Sequence, residues 1–186
     1  MLSPETILRF RSAFPSAIYQ DVETALTCIP VSEWPPSIDD IGPVEINEEQ
    51  LRIPFRFYSN DPDLSCFQTV NDQQRLILNA IYTRHSNGYV RERCVKPLLL
   101  ADELWIPPFV IQLLGEYVLE IIQVLAEHLS VFSGGNYLRF ARENRAFFQL
   151  LRQRIVSYWN CYYRFPFPKL KDYPAFRILE FIETSL

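Results

Sequence analysis

Trp105-Ile-Pro-Pro-Phe-Val-Ile-Gln-Leu-Leu-Gly-Glu-Tyr-Val-Leu-Glu-Ile-Ile-Gln-Val-Leu-Ala-Glu-His-Leu129 is a long and very apolar stretch, and its few polar residues decide how the chain folds. Gln112, Glu116, Glu120, Gln123 and Glu127 recur at steps of four, four, three and four. At about 100° per residue they fall within one arc of roughly 80° on an α-helix. The rest of that rod is greasy. This predicts a central helix from Pro107 to the Gly134-Gly135 pair, wrapped by protein on most sides and wet along one edge. Three carboxylates in hydrocarbon would each be costly, so the stretch is not read as a membrane span.

Toward the C-terminus the Gly-Gly pair predicts a helix-helix turn, followed by a helix over Tyr137 to Tyr163. Phe140, Phe147, Phe148, Leu151, Ile155, Tyr158 and Tyr162 mark its apolar side, with Arg139, Arg142, Arg145, Gln149 and Arg152 opposite. Pro166 and Pro168 break the chain, and Pro174 starts a last helix with Phe176, Leu179 and Ile182 inward. Toward the N-terminus, Asn71 or Asp72 caps a helix carrying Leu76, Ile77, Ala80 and Ile81, and Ser86-Asn87-Gly88 offers left-handed residues to end it. A short helix from Tyr89 to about Leu100 follows.

Ser3-Pro4-Glu5 supplies a cap, a first-turn proline and a favourable charge for a helix reaching about Phe14. Ile18, Val22, Ala25, Leu26 and Ile29 predict a second helix stopping before Pro30. Pro30 to Pro43 cannot sustain a helix and reads as a surface loop anchored by Trp34. Val44 and Ile46, then Leu51, Ile53, Phe55 and Phe57, alternate at period two, which predicts a hairpin turning near Asn47 to Glu49. Pro54 forbids a ladder bond, so the second run is an edge strand or an extended arm.

These elements define a mainly α fold, a helical bundle with a small N-terminal extended or β-hairpin arm. A chain of 186 residues fits a single domain over 1–186, with N-terminal helices and arm in 1–66 and the helical core in 71–186. With 14 Pro against 5 Gly, helices punctuated by proline are favoured over a turn-rich sandwich. The start, Met-Leu-Ser-Pro, has neither a basic nor an apolar leader region, so a cytoplasmic location is expected. Cys28, Cys66, Cys94 and Cys161 are widely spaced and form no Cys-x-x-Cys pair. They are read as reduced thiols, with Cys94 and Cys161 buried in helices.

Asn79 to Leu99 contains a short turn before a helix with Val90, Arg91 and, three positions on, Cys94; Val110 and Leu114-Gly115-Glu116 follow. This pattern over about residues 79–115 resembles HEAT-type helix pairs, although Pro97 departs from it. The C-terminal half is similar to an uncharacterised bacterial family. The HEAT resemblance implies HEAT-like pairs within the bundle and a surface for binding macromolecules.

Charge is uneven. From Asn136 onward nine basic residues stand against four acidic ones, a balance of +5, which leaves −9 for the remainder of a chain whose formal net charge is −4. Such polarity satisfies itself internally or addresses a partner. The leading expectation is a non-enzymatic protein-protein interaction module of adaptor or immunity-protein type. Its interface candidates are Arg139, Arg142, Arg145, Arg152, Tyr163, Arg164, Phe165 and Phe167, guanidinium and aromatic groups being the usual anchors of interfaces. The competing account pairs the arginines with the Glu116–Glu127 stripe. An alternative is a small-molecule enzyme or ligand-binding bundle in which His85 moves a proton and Arg84 clamps an anion beside Glu116. A second alternative is nucleic-acid binding through the Arg139–Arg154 helix, opposed by a pI of about 5.3 and few lysines. No Glu-x-x-His, Walker loop, dinucleotide fingerprint or nucleophile elbow occurs, so no metal and no cofactor are expected.

Overall fold

The computed structural model describes residues 2–30 and 42–186, so most of the expected Pro30–Pro43 loop, Trp34 included, lies outside the described residues. The fold is mainly α with one small antiparallel hairpin. The chain forms two compact units, Met1–Ala101 and Asp102–Leu186.

In the first unit Ser3 accepts a bond from the Thr6 N–H at 3.1 Å and Pro4 opens helix α1, Pro4–Arg11. This is the capping chemistry expected of that sequence. A 3-10 turn, Ser16–Ile18, leads into α2, Tyr19–Leu26, which buries Val22, Ala25 and Leu26. Strands β1, Val44–Ile46, and β2, Glu49–Leu51, pair with Val44 opposite Leu51 and Ile46 opposite Glu49. Asn47 and Glu48 take φ of 49° and 66°, the left-handed pair that lets a two-residue turn follow strand twist. Pairing stops before Pro54, and the following residues run as an extended arm. Among the bonds that fasten that arm, the Arg52 N–H donates to Ser12 O at 2.8 Å, and Phe57 pairs with the end of the next long helix.

Helix α3, Cys66–Thr69, is a single turn. Helix α4, Asp72–Tyr82, starts with a full capping box in which Asn71 and Gln74 satisfy each other's backbone N–H groups. Helix α5, Gly88–Leu98, packs against α4, and α4 packs on α2. The Ser86-Asn87-Gly88 corner differs from expectation. Asn87 is not a left-handed cap of α4; with φ of −75° it is the N-cap of α5, accepting from the Tyr89 N–H at 3.0 Å. The carbonyls after α4 are instead taken by Arg91, whose Nη1 donates to His85 O and Ser86 O, both at 2.8 Å.

The cysteine expectation is corrected. Cys28, after α2, is disulfide-bonded to Cys66 at the start of α3, with Cα atoms 5.7 Å apart. Cys94 is buried as expected, and burial pushes its thiol up to about 11. Cys161 is exposed. Thiol titration with a disulfide-forming reagent should therefore find one reactive group in the native protein, two after unfolding without reductant, and four after reduction. Four in the unreduced, unfolded protein would refute the pairing.

In the second unit the expected rod from Pro107 to Gly134 is broken. Helix α6, Pro107–Ile111, tightens into a 3-10 turn, Gln112–Gly115; Glu116 and Val118 are extended, and α7, Leu119–Glu127, then begins. The cause lies at Gly115: a Cβ there would sit 2.9 Å from Leu151 Cδ1, so this backbone is pressed against a neighbouring helix, and Gly is a poor helix continuer. The acidic edge is divided with it. Glu120, Gln123 and Glu127 are exposed on α7, whereas Gln112 and Glu116 are buried. A 3-10 turn, Leu129–Ser133, leads to α8, Gly135–Glu143.

The second expected long helix is also two. Asn144, with φ −119° and ψ 49°, folds its carboxamide back to donate to Phe140 O at 3.0 Å, ending α8 before α9, Arg145–Tyr158. A π turn, Trp159–Tyr163, and a 3-10 turn, Leu170–Asp172, precede α10, Pro174–Thr184. Helix α10 packs on α7, α8 and α9, with Phe176, Ile178, Leu179 and Ile182 buried. Among the described residues no helix is long and apolar enough to cross a membrane.

Candidate functional site

The arginines of α8 and α9 meet in one groove. Arg145, Phe148, Gln149 and Arg152 are spaced i, i+3, i+4 and i+7, so they form one stripe along α9. Ala141 and Arg142 of α8 stand on one side, and Glu183 and Leu186, from the end of α10 and just beyond, stand on the other. The groove measures about 340 Å³. Its floor is apolar, Ala141 and Phe148 being 2% and 7% exposed, while Arg142 and Arg145 are exposed at its edge.

The partners of these guanidinium groups overturn the pairing expected with the Glu116–Glu127 stripe. Arg139 Nε donates to Glu143 on its own helix at 2.8 Å and does not line the groove. Arg152 is bound by the Glu183 carboxylate and lies over the Phe176 ring, 5.1 Å from its centre. Arg142 Nη2 reaches only Leu186 O, at 3.4 Å. Among the described residues neither Arg142 nor Arg145 pairs with an Asp or Glu side chain. The physical reason is the break at Glu116–Val118, which buries Glu116 and starts α7 anew, packed on α10 with Glu120, Gln123 and Glu127 exposed to solvent.

The aromatic candidates lie elsewhere on the unit. Phe165 follows Arg152 by thirteen residues, about 20 Å of helical path. Tyr163 stacks on Tyr173 with ring centres 5.3 Å apart and donates its hydroxyl to Tyr117 O; burial raises its pKa. Phe167 packs on the same Tyr173 ring, and its carbonyl accepts from Trp159 Nε1 at 2.8 Å. Arg164 lies over the Trp159 ring. Phe165 is 97% exposed, and Tyr162, expected in the core, is 64% exposed. Tyr163 and Phe167 thus turn inward while Tyr162 points out, the reverse of expectation, as the π turn shifts the helical phase after Tyr158; Phe165 is exposed as expected.

Arg84 and His85 belong to the first unit and Glu116 to the second. All three are buried. Arg84 Nε donates to Thr83 Oγ1 at 3.1 Å. His85 Nδ1 accepts from the Asn87 N–H at 3.1 Å, which leaves Nε2 to donate to Ser59 O at 2.9 Å. Both ring nitrogens are thereby engaged in holding the arm and the α4–α5 corner, and His85 is a brace in the frame of Phe57. Among the described residues no group of three or more His, Cys, Asp or Glu is placed to hold a metal ion.

Sequence periodicity located Arg142, Arg145 and Arg152, but it assigned Phe148 wholly to the core and gave no sign of Glu183. The i, i+3, i+4, i+7 spacing on α9 carried the first signal; nothing local carries the second, because Glu183 stands 31 residues from Arg152. The fold and groove together define a mainly α chain with a basic, apolar-floored cleft on its second unit. No protein-family model, curated protein or solved structure matches the chain.

Proposed function

We propose that the chain is a non-enzymatic protein-interaction module, of adaptor or immunity-protein kind, and that its second unit receives an acidic protein segment in the arginine groove. The observation that carries this is the pair Arg142 and Arg145, two exposed guanidinium groups that no Asp or Glu side chain pairs with among the described residues, set beside a buried Phe148 floor. Guanidinium groups recognise carboxylates in two-point fashion, and an apolar floor rewards an adjoining side chain. A peptide offers both.

A phosphate backbone is the poorer fit. The second unit carries nine basic and nine acidic residues, so it has no net positive field to gather a polyanion. Glu143 and Glu183 stand among the arginines.

Fluorescence anisotropy tests the reading with a labelled peptide containing Glu-Leu-Ala-Glu. Wild type should bind it with an affinity that falls as salt rises, and Arg142→Ala/Arg145→Ala should bind about tenfold more weakly or worse. No binding at low salt, or equal binding by the double variant, would refute it. A 20-nucleotide single strand that binds more tightly than the peptide would turn the reading to nucleic acid.

A further inference from the structure

Glu183 is the side chain that the groove's electrostatics single out. Its carboxylate occupies Arg152, the third guanidinium of the stripe, and both partners are partly exposed, with side chains 35% and 40% accessible. It comes from the last turn of α10, which holds no basic residue and where the helix dipole disfavours a negative charge. Glu183 therefore depends on Arg152 for its place. Arg152 depends less on Glu183, because Phe176 supports the guanidinium from beneath.

Glu183 also stands on the wall between two cavities. On its far side lies an open groove of about 590 Å³ lined by Lys171 and Arg177 as well as Glu180. Arg152 lines that groove as well, so the ion pair stands at the boundary of both. Displacement is then an exchange of one exposed ion pair for another, and exposed pairs are weak.

Resting on the proposed function above, we infer that Glu183 is an internal stand-in for the partner, and that the partner is an acidic segment bearing two carboxylates about 10 Å apart. One carboxylate docks on Arg142 and Arg145, and the second displaces Glu183 from Arg152. The spacing follows from α9: Arg145 and Arg152 are two turns apart, about 10 Å of helix rise. A peptide in the polyproline-II conformation, with three residues per turn, covers about 9 Å in three residues and brings positions i and i+3 to the same side, which is the pattern Glu-x-x-Glu. No covalent step is involved; one ion pair replaces another.

The test uses two labelled peptides, one with Glu-Leu-Ala-Glu and one with Glu-Leu-Ala-Gln, titrated against the full chain. Wild type should bind the first about tenfold more tightly than the second. Glu183→Gln should raise affinity for the two-carboxylate peptide several-fold and leave the one-carboxylate peptide unchanged. Arg152→Gln should erase the difference between the peptides. If Glu183→Gln changes neither affinity, or raises both equally as a bulk charge effect would, the stand-in role falls while the groove stands. If neither peptide binds, or binding ignores Arg142→Ala/Arg145→Ala, the groove falls as well. Glu183 is a partly exposed helix-end residue, and an unaltered helix signal by circular dichroism certifies the variant.

Discussion

Replacing Phe57 by alanine should cost the first unit about 3–5 kcal/mol, the range for deleting a fully buried aromatic. Phe57 is 1% exposed although it sits in an extended arm without regular structure of its own. Its ring contacts Phe10 edge-on at 5.3 Å between centres, Tyr82 at 5.6 Å and His85 at 5.3 Å. It thus joins α1 to the end of α4. Its backbone is committed as well, since the Phe57 N–H donates to Arg84 O at 3.0 Å and its carbonyl accepts from the Ser86 N–H at 2.9 Å. A cavity here removes dispersion contacts on three sides and loosens the only ladder pairing between the arm and the α4–α5 corner among the described residues. Native-state hydrogen exchange provides the local measurement. The Ser86 amide should lose protection by a factor corresponding to that cost, while α7 and α9 amides in the second unit keep theirs. Unchanged exchange at Ser86 would mean that the arm is held without Phe57.

The arm also shows what sequence patterning could and could not deliver. Alternation at Val44, Ile46, Leu51 and Phe57 was visible because burial on one face of an extended chain has period two. The halt before Pro54 was visible because proline lacks an N–H. The partner of Phe57 was not, since it depends on where α4 ends, and the end itself was misread: Asn87 suits both a left-handed cap and an N-cap, and only the start of α5 one residue later decides. The same ambiguity governs the second unit. Helical spacing of Gln112, Glu116 and Glu120 suits a continuous rod and does not exclude two short helices parted by an extended step, and Gly115 chooses between them through its contact with Leu151, 36 residues away in the chain. Asn144 was a local clue, a short carboxamide able to take a helix-end carbonyl, set inside a segment otherwise rich in helix formers. For the site, the arginine face was legible because its residues are local on two helices. Its occupant at Arg152 was not, because Glu183 arrives from α10.

The Cys28–Cys66 bond is the other feature that no spacing rule announced, and removing it should weaken the first unit by about 3–4 kcal/mol. The estimate follows from loop closure: the bond joins residues separated by 38 positions, and the unfolded chain regains the entropy of that loop once the bond is cut. The closed loop contains β1, β2 and the Phe57 arm, so the bond shortens the unfolded path of every contact the arm makes. Cys28 is 8% exposed at the end of α2, and Cys66 is half-buried at the start of α3, which places the link beside elements packed on α4. Disulfides persist in oxidising surroundings, so the bond lends no support to the cytoplasmic location expected from the first residues. Urea unfolding of the first unit's helices, followed by exchange-protected amides of α4, should show a lower midpoint for Cys28→Ser/Cys66→Ser than for wild type. Reductant should lower wild type to the same midpoint and leave the double variant where it was. A wild-type midpoint insensitive to reductant, together with equal stability of the double variant, would show that the bond contributes nothing to the fold. Combining the serine pair with Phe57→Ala then asks whether bond and ring act on one event. If both hold the same loop to the same helices, the two losses should sum to less than their separate values, because a loop already released by one change has less order left for the other to remove.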